Sequence, residues 1–78
     1  MLFKNRTQLE TRGGAMIRAR LKAGVSRAEL AKRSGVSAKA IDTWERDLHD
    51  PSVACAELCA DALGLSLDEY LGHKVVRE

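Results

Sequence analysis

Ser26-Arg27-Ala28-Glu29-Leu30-Ala31-Lys32-Arg33-Ser34-Gly35-Val36-Ser37, followed by Ile41 and Trp44-Glu45-Arg46, is the stretch on which the fold turns. Ser26 and Glu29 have the spacing of a capping box, in which the hydroxyl takes the Glu29 amide and the carboxylate returns to the Ser26 amide. A helix over 27–34 follows, with Leu30 and Ala31 on its inner face. Gly35 supplies the positive φ that a tight break needs. Ser37 is then placed to cap a further helix carrying Ala40, Ile41 and Trp44. Two helices crossing steeply through so short a turn need a small residue where their backbones meet, and Ala31 is that residue. Val36 and Ile41 anchor the second helix of the pair against Leu30. Ala38, Lys39, Asp42 and Thr43 are thereby left pointing outward.

Upstream of this pair, Met16, Ala19, Arg20 and Ala23 recur at three- and four-residue spacing until Gly24 stops the pattern. They predict a first amphipathic helix, with Gly13-Gly14 as its lead-in and residues 1–12 as an N-terminal arm. Downstream, residues 47–51 read as a loop. Pro51-Ser52 opens a fourth helix through Val53, Ala56, Cys59, Ala60 and Leu63, closed by Gly64. Leu65-Ser66-Leu67-Asp68-Glu69 starts a fifth, with Ser66 and Glu69 repeating the capping-box spacing. No stretch alternates apolar and polar residues as a strand does. The fold class is therefore all-α: a five-helix domain over 13–71 and a short tail over 72–78.

Seventy-eight residues make one domain, and an apolar fraction of 45% allows it a modest core. The net charge of +2 hides a segregation. Residues 1–46 hold eleven Lys or Arg against four acids, a balance of +7; residues 47–78 hold two against seven, a balance of −5. A basic half beside an acidic half suits a surface that meets a polyanion on one side. An outward helix about 10–12 Å across matches the major groove of DNA. No apolar run approaches the roughly 20 residues that cross a bilayer, and the N-terminus lacks the apolar core of a secretory signal. A cytoplasmic location and no membrane partner are the expectation.

Little else in the chain suggests chemistry. Cys55 and Cys59 lie four apart on one helix, which suits two reduced thiols better than a disulfide. Together with His49 they still lack the fourth ligand of a structural zinc site. His49 and His73 have no nucleophile or carboxylate at a catalytic spacing, and Gly13-Gly14 is no phosphate loop. Neither a cofactor, a metal nor an enzyme activity is expected.

The stretch from Gly13 to Leu71 resembles the lambda-repressor/Cro-type, or XRE-type, helix-turn-helix DNA-binding family. The matching marks are Arg20, Val25-Ser26, Glu29-Leu30-Ala31, Gly35-Val36-Ser37, Ile41, Trp44-Glu45-Arg46, Pro51-Ser52, Ala60, Leu63-Gly64 and Ser66-Leu67-Asp68-Glu69. The resemblance implies a five-helix lambda-repressor-like domain that binds double-stranded DNA, usually as a symmetric dimer, with the helix over 37–46 in a major groove. Residue by residue, it implies a phosphate contact for Arg27, a cap that also touches phosphate for Ser37, base-facing positions for Ala38, Lys39 and Thr43, and an approach to the DNA backbone for Arg46. It also implies a structural ion pair between Arg20 and Glu45, with Trp44 in the core.

The chain departs from the family pattern in places. Ala38 and Ala40 cannot hydrogen-bond to bases, which leaves Lys39 and Thr43 as the polar readers. Asp47 stands where the family has glycine, and Leu58 is apolar where the family is polar. The function expected is a sequence-specific transcriptional regulator, a repressor, pairing as a homodimer through Leu58 with Leu67, Tyr70 or Leu71. The alternative is an antitoxin or other protein-interaction module of the same fold holding a partner protein such as a toxin, which the sparse base-reading set and Leu58 favour.

Overall fold

Every helix among the described residues starts from a serine or threonine cap. The computed structural model describes residues 11–72, and among these the elements are α1 (Arg12–Lys22), α2 (Arg27–Ser34), α3 (Ala38–Glu45), α4 (Val53–Ala62) and α5 (Leu67–Leu71). The caps are Thr11, Ser26, Ser37, Ser52 and Ser66 in turn. Each hydroxyl oxygen accepts the amide three residues on, at 3.0–3.2 Å. Such a cap contributes about 1 kcal/mol and satisfies an amide that the helix itself cannot. Gly35 ends α2 at φ +82°, the left-handed turn expected of it.

Two expectations at helix starts need correction. Glu29 does not close a capping box on Ser26: its carboxylate accepts instead from Arg33 Nε at 2.9 Å, one turn further along α2. That guanidinium holds the Glu29 carboxyl below its usual range. The reciprocal box is present at Ser66 and Glu69, where each side chain accepts the other's amide. Gly13 and Gly14 are not a lead-in but part of the first turn of α1. Gly13 is there for close approach, since a Cβ on it would stand 2.6 Å from the Glu45 carbonyl oxygen. The arm and the tail lie, apart from residues 11, 12 and 72, outside the described residues.

Leu30, Ile41, Cys59 and Tyr70 are fully enclosed, and Met16, Val25, Val36, Trp44, Ala56, Ala60 and Leu71 complete the core around them. Burying each large aliphatic side chain contributes roughly 1.5–3 kcal/mol. α4 packs on α2 and α5, and α1 packs on α5 and α3. α3 is held by α1 and α2 at the edge of this assembly, so its far face stays open.

Tyr70 and Leu71 are withdrawn from the expected self-association surface, because both are buried. α5 has five residues, and these two side chains, with half-buried Leu67 packed against the same cluster, are its hold on the core. Of the residues expected there, Leu58 is exposed and Leu67 half-buried. The Tyr70 hydroxyl is itself a buried polar atom with no hydrogen-bond partner among the described residues. Burial first, and the neighbouring Cys59 thiol second, keep it far above the usual phenol range. Burial likewise raises the Cys59 thiol.

Candidate nucleic-acid interface

α2 and α3 meet across the turn Gly35–Val36–Ser37, and the apolar side chains that join them are among the most buried of the chain. Leu30 and Ile41 are both fully enclosed, with Val36 beside them. Pinning Ile41 and Trp44 inward fixes the rotation of α3 about its own axis, because side chains three and four apart share a face. The opposite stripe is then Ala38, Lys39, Asp42 and Thr43. Ala38 and Lys39 are exposed, and Asp42 and Thr43 half-exposed.

The polar groups on this stripe differ in how free they are. Ser37 is exposed, and its hydroxyl oxygen already accepts the Ala40 amide at 3.1 Å. Thr43 Oγ1 donates back to the Lys39 carbonyl at 3.0 Å, which orients its methyl and oxygen on the helix surface. Lys39 has no ion pair among the described residues and is the freest donor on α3. Arg46, directly after the helix, is exposed, with its Nε 3.7 Å from Asp42 Oδ1.

The C-terminal end of α3 is built quite differently. Glu45 is 4% exposed and Arg20 7%. Arg20 Nε donates to Glu45 Oε2 at 2.8 Å and Nη2 to Oε1 at 3.0 Å, while Nη1 reaches the Val25 carbonyl at 3.2 Å. This two-pronged fit of guanidinium to carboxylate is a strong and directional pairing. The hydrogen bond to Glu45, the largest influence, holds the Arg20 guanidinium above its ordinary range despite burial. Arg27, the first residue of α2, donates to the same Glu45 Oε1 from Nε at 3.1 Å. Its Nη1 lies 3.6 Å from Asp42 Oδ1. One buried carboxylate thus ties α1, α2 and α3 together.

A second tie sits one turn away. Asp47 has a left-handed backbone, φ +61°, in a position that favours glycine. Its Oδ1 accepts the Gly13 amide at 2.9 Å. Thr11 caps the Gly14 amide, so the two side chains divide the free donors at the start of α1. Aspartate tolerates this backbone better than most residues, and the contact it makes explains why it stands here. The sequence reading did not find this tie or the Arg27–Glu45 bond. The one legible hint was an aspartate where a glycine belongs.

A family model described as Helix-turn-helix matches residues 16–70 of the 78. The chain belongs to the lambda-repressor/Cro-type, or XRE-type, helix-turn-helix family. No curated protein and no solved structure matches it. The family membership makes this a DNA-binding helix-turn-helix regulator. Among the described residues no helix is long and apolar enough to cross a membrane, and no three His, Cys, Asp or Glu stand together as a metal site.

Proposed function

We propose that the protein is a sequence-specific transcriptional repressor that binds an inverted-repeat operator as a homodimer, acting in the cytoplasm where that DNA lies. What carries the reading is α3: a helix rotated into place by its buried face, clamped at one end and open along the stripe of Ala38, Lys39 and Thr43. Lys39 is the reader of this set, donating to guanine O6 or N7, with Thr43 beside it and the Ala38 methyl suited to a thymine methyl. Arg27, Ser37 and Arg46 flank the stripe and suit phosphates. Two copies of α3 must lie about 34 Å apart to enter successive major grooves. Leu58, 49% exposed on α4, and Leu67 support the pairing surface.

Leu58 equally favours a second reading, an antitoxin whose α4 face holds a toxin; a co-purifying protein partner encoded beside it would support that. The test of the repressor reading is a fluorescence-anisotropy titration against duplexes from its own promoter region at two salt concentrations. Tighter binding to one duplex than to scrambled sequence is the expected result. Equal binding to all duplexes would sink it.

A further inference from the structure

Asp42 is a carboxylate on the face of α3 that has to meet a polyanion, 37% exposed and one helical turn beyond Ala38 on the same stripe. Its Oδ1 stands 3.6 Å from Arg27 Nη1 and 3.7 Å from Arg46 Nε, two of the cations best placed to reach phosphates. Arg27 comes from α2 and Arg46 from the end of α3, so the carboxylate gathers both flanks of the interface onto itself. Neither contact is tight or dry. Phosphates compete for such exposed pairs readily, and the pairs add little to stability.

We propose that Asp42 is a specificity-determining residue: it pairs with Arg27 and Arg46 in the free protein, gives them up to phosphates on docking, and is best compensated in the complex where a cytosine amino group stands opposite it. This rests on the DNA-binding reading above. The chemistry is that of the groove. Cytosine N4 is a donor on the major-groove edge, and an aspartate is one of the few side chains that can only accept. When α3 docks, the two arginines turn from Asp42 to phosphates and the carboxylate loses its countercharges. Opposite guanine O6 or N7, thymine O4 or a phosphate it then faces only acceptors and negative charge, and opposite adenine the N6 donor comes with the N7 acceptor beside it. Opposite cytosine it accepts a hydrogen bond. Ala38, one turn earlier on the same stripe, is exposed and carries only a methyl group. Random DNA, which is bound mainly through phosphates, therefore carries the full penalty, and a site with the cytosine does not.

The experiment compares the wild-type chain with Asp42→Ala and Asp42→Asn on two duplexes, the best sequence from a random-pool selection and a scrambled one, each at several salt concentrations. Circular dichroism verifies that the exposed substitutions leave the helices intact. The expected result is an affinity for scrambled DNA raised about three- to tenfold, because no uncompensated carboxylate is left behind when the arginines reach phosphates, with the number of phosphate contacts and hence the salt slope little changed. The ratio of selected to scrambled affinity falls at the same time. Replacing one cytosine of the selected site then weakens the wild type and leaves Asp42→Ala unaffected. A wild type that prefers the selected site, combined with variants whose ratio is unchanged, overturns the role of Asp42 alone. A wild type with no preference overturns the sequence-specific reading and this inference with it.

Discussion

The two ends of α3 are made to opposite specifications. Its C-terminal end is fixed by Glu45, buried and bonded to both Arg20 and Arg27, and by Asp47 reaching across to the amide of Gly13. Its N-terminal half carries one serine cap and then Ala38 and Lys39 in solvent. A helix that reads a groove needs both conditions: an orientation set by the body of the protein, and a face that owes nothing to it. The rigid end costs sequence freedom at Gly13, Arg20, Glu45 and Asp47. The open end leaves its exposed side chains free to vary without disturbing the fold.

Breaking the fixed end gives the largest effects. Glu45→Ala leaves Arg20 buried without its counterion, and loss of one partner of a buried pair costs about 3–5 kcal/mol. In a domain of this size that removes most of the stability, and thermal or urea unfolding followed by circular dichroism measures it. Gly13→Ala comes next, at about 1–3 kcal/mol, the usual cost of forcing a methyl into a filled space. The new Cβ meets the Glu45 carbonyl oxygen at 2.6 Å and the Asp47 carboxylate at 2.8 Å. Because the nearer obstacle is backbone, adding Asp47→Gly does not restore stability. Recovery in the double variant would show that the aspartate side chain, and not the end of α3, sets the fit of α1.

What could be read from the sequence follows the same division. Leu30, Gly35, Val36 and Ile41 announced the helix pair because period, cap and turn chemistry are local, and local rules survive into the fold. Four of the five helix starts among the described residues were legible for the same reason, at Ser26, Ser37, Ser52 and Ser66, and the Thr11 cap was not. Long-range contacts were not. Nothing near Arg27 in sequence says that its guanidinium lies on Glu45, eighteen residues away, and nothing near Gly13 points to Asp47. Glu29 shows the limit from the other side. Its spacing to Ser26 permits a box, but Arg33 is an equally local partner and a charged one, and the carboxylate takes it. Tyr70 and Leu71 depart from the sequence expectation because apolar residues on a short helix read alike whether they cover the core or a partner.

At the open end the expected effect on stability is the smallest and the effect on function the most selective. Lys39 is exposed and makes no ion pair among the described residues, so Lys39→Ala changes stability by no more than about 0.5 kcal/mol. It removes the one free donor on the stripe, and the base preference at one position of each half-site relaxes by about 1–3 kcal/mol. Arg27→Ala is the counterpart at the junction of the two ends. It weakens binding to all sequences alike and lowers the salt slope by about one, while also stripping one of the two guanidiniums from Glu45. The two variants should therefore separate cleanly when selected-pool binding is set beside thermal unfolding. If Lys39→Ala instead weakens every sequence equally, Lys39 contacts phosphate, and base reading on this helix falls to Thr43 and Asp42.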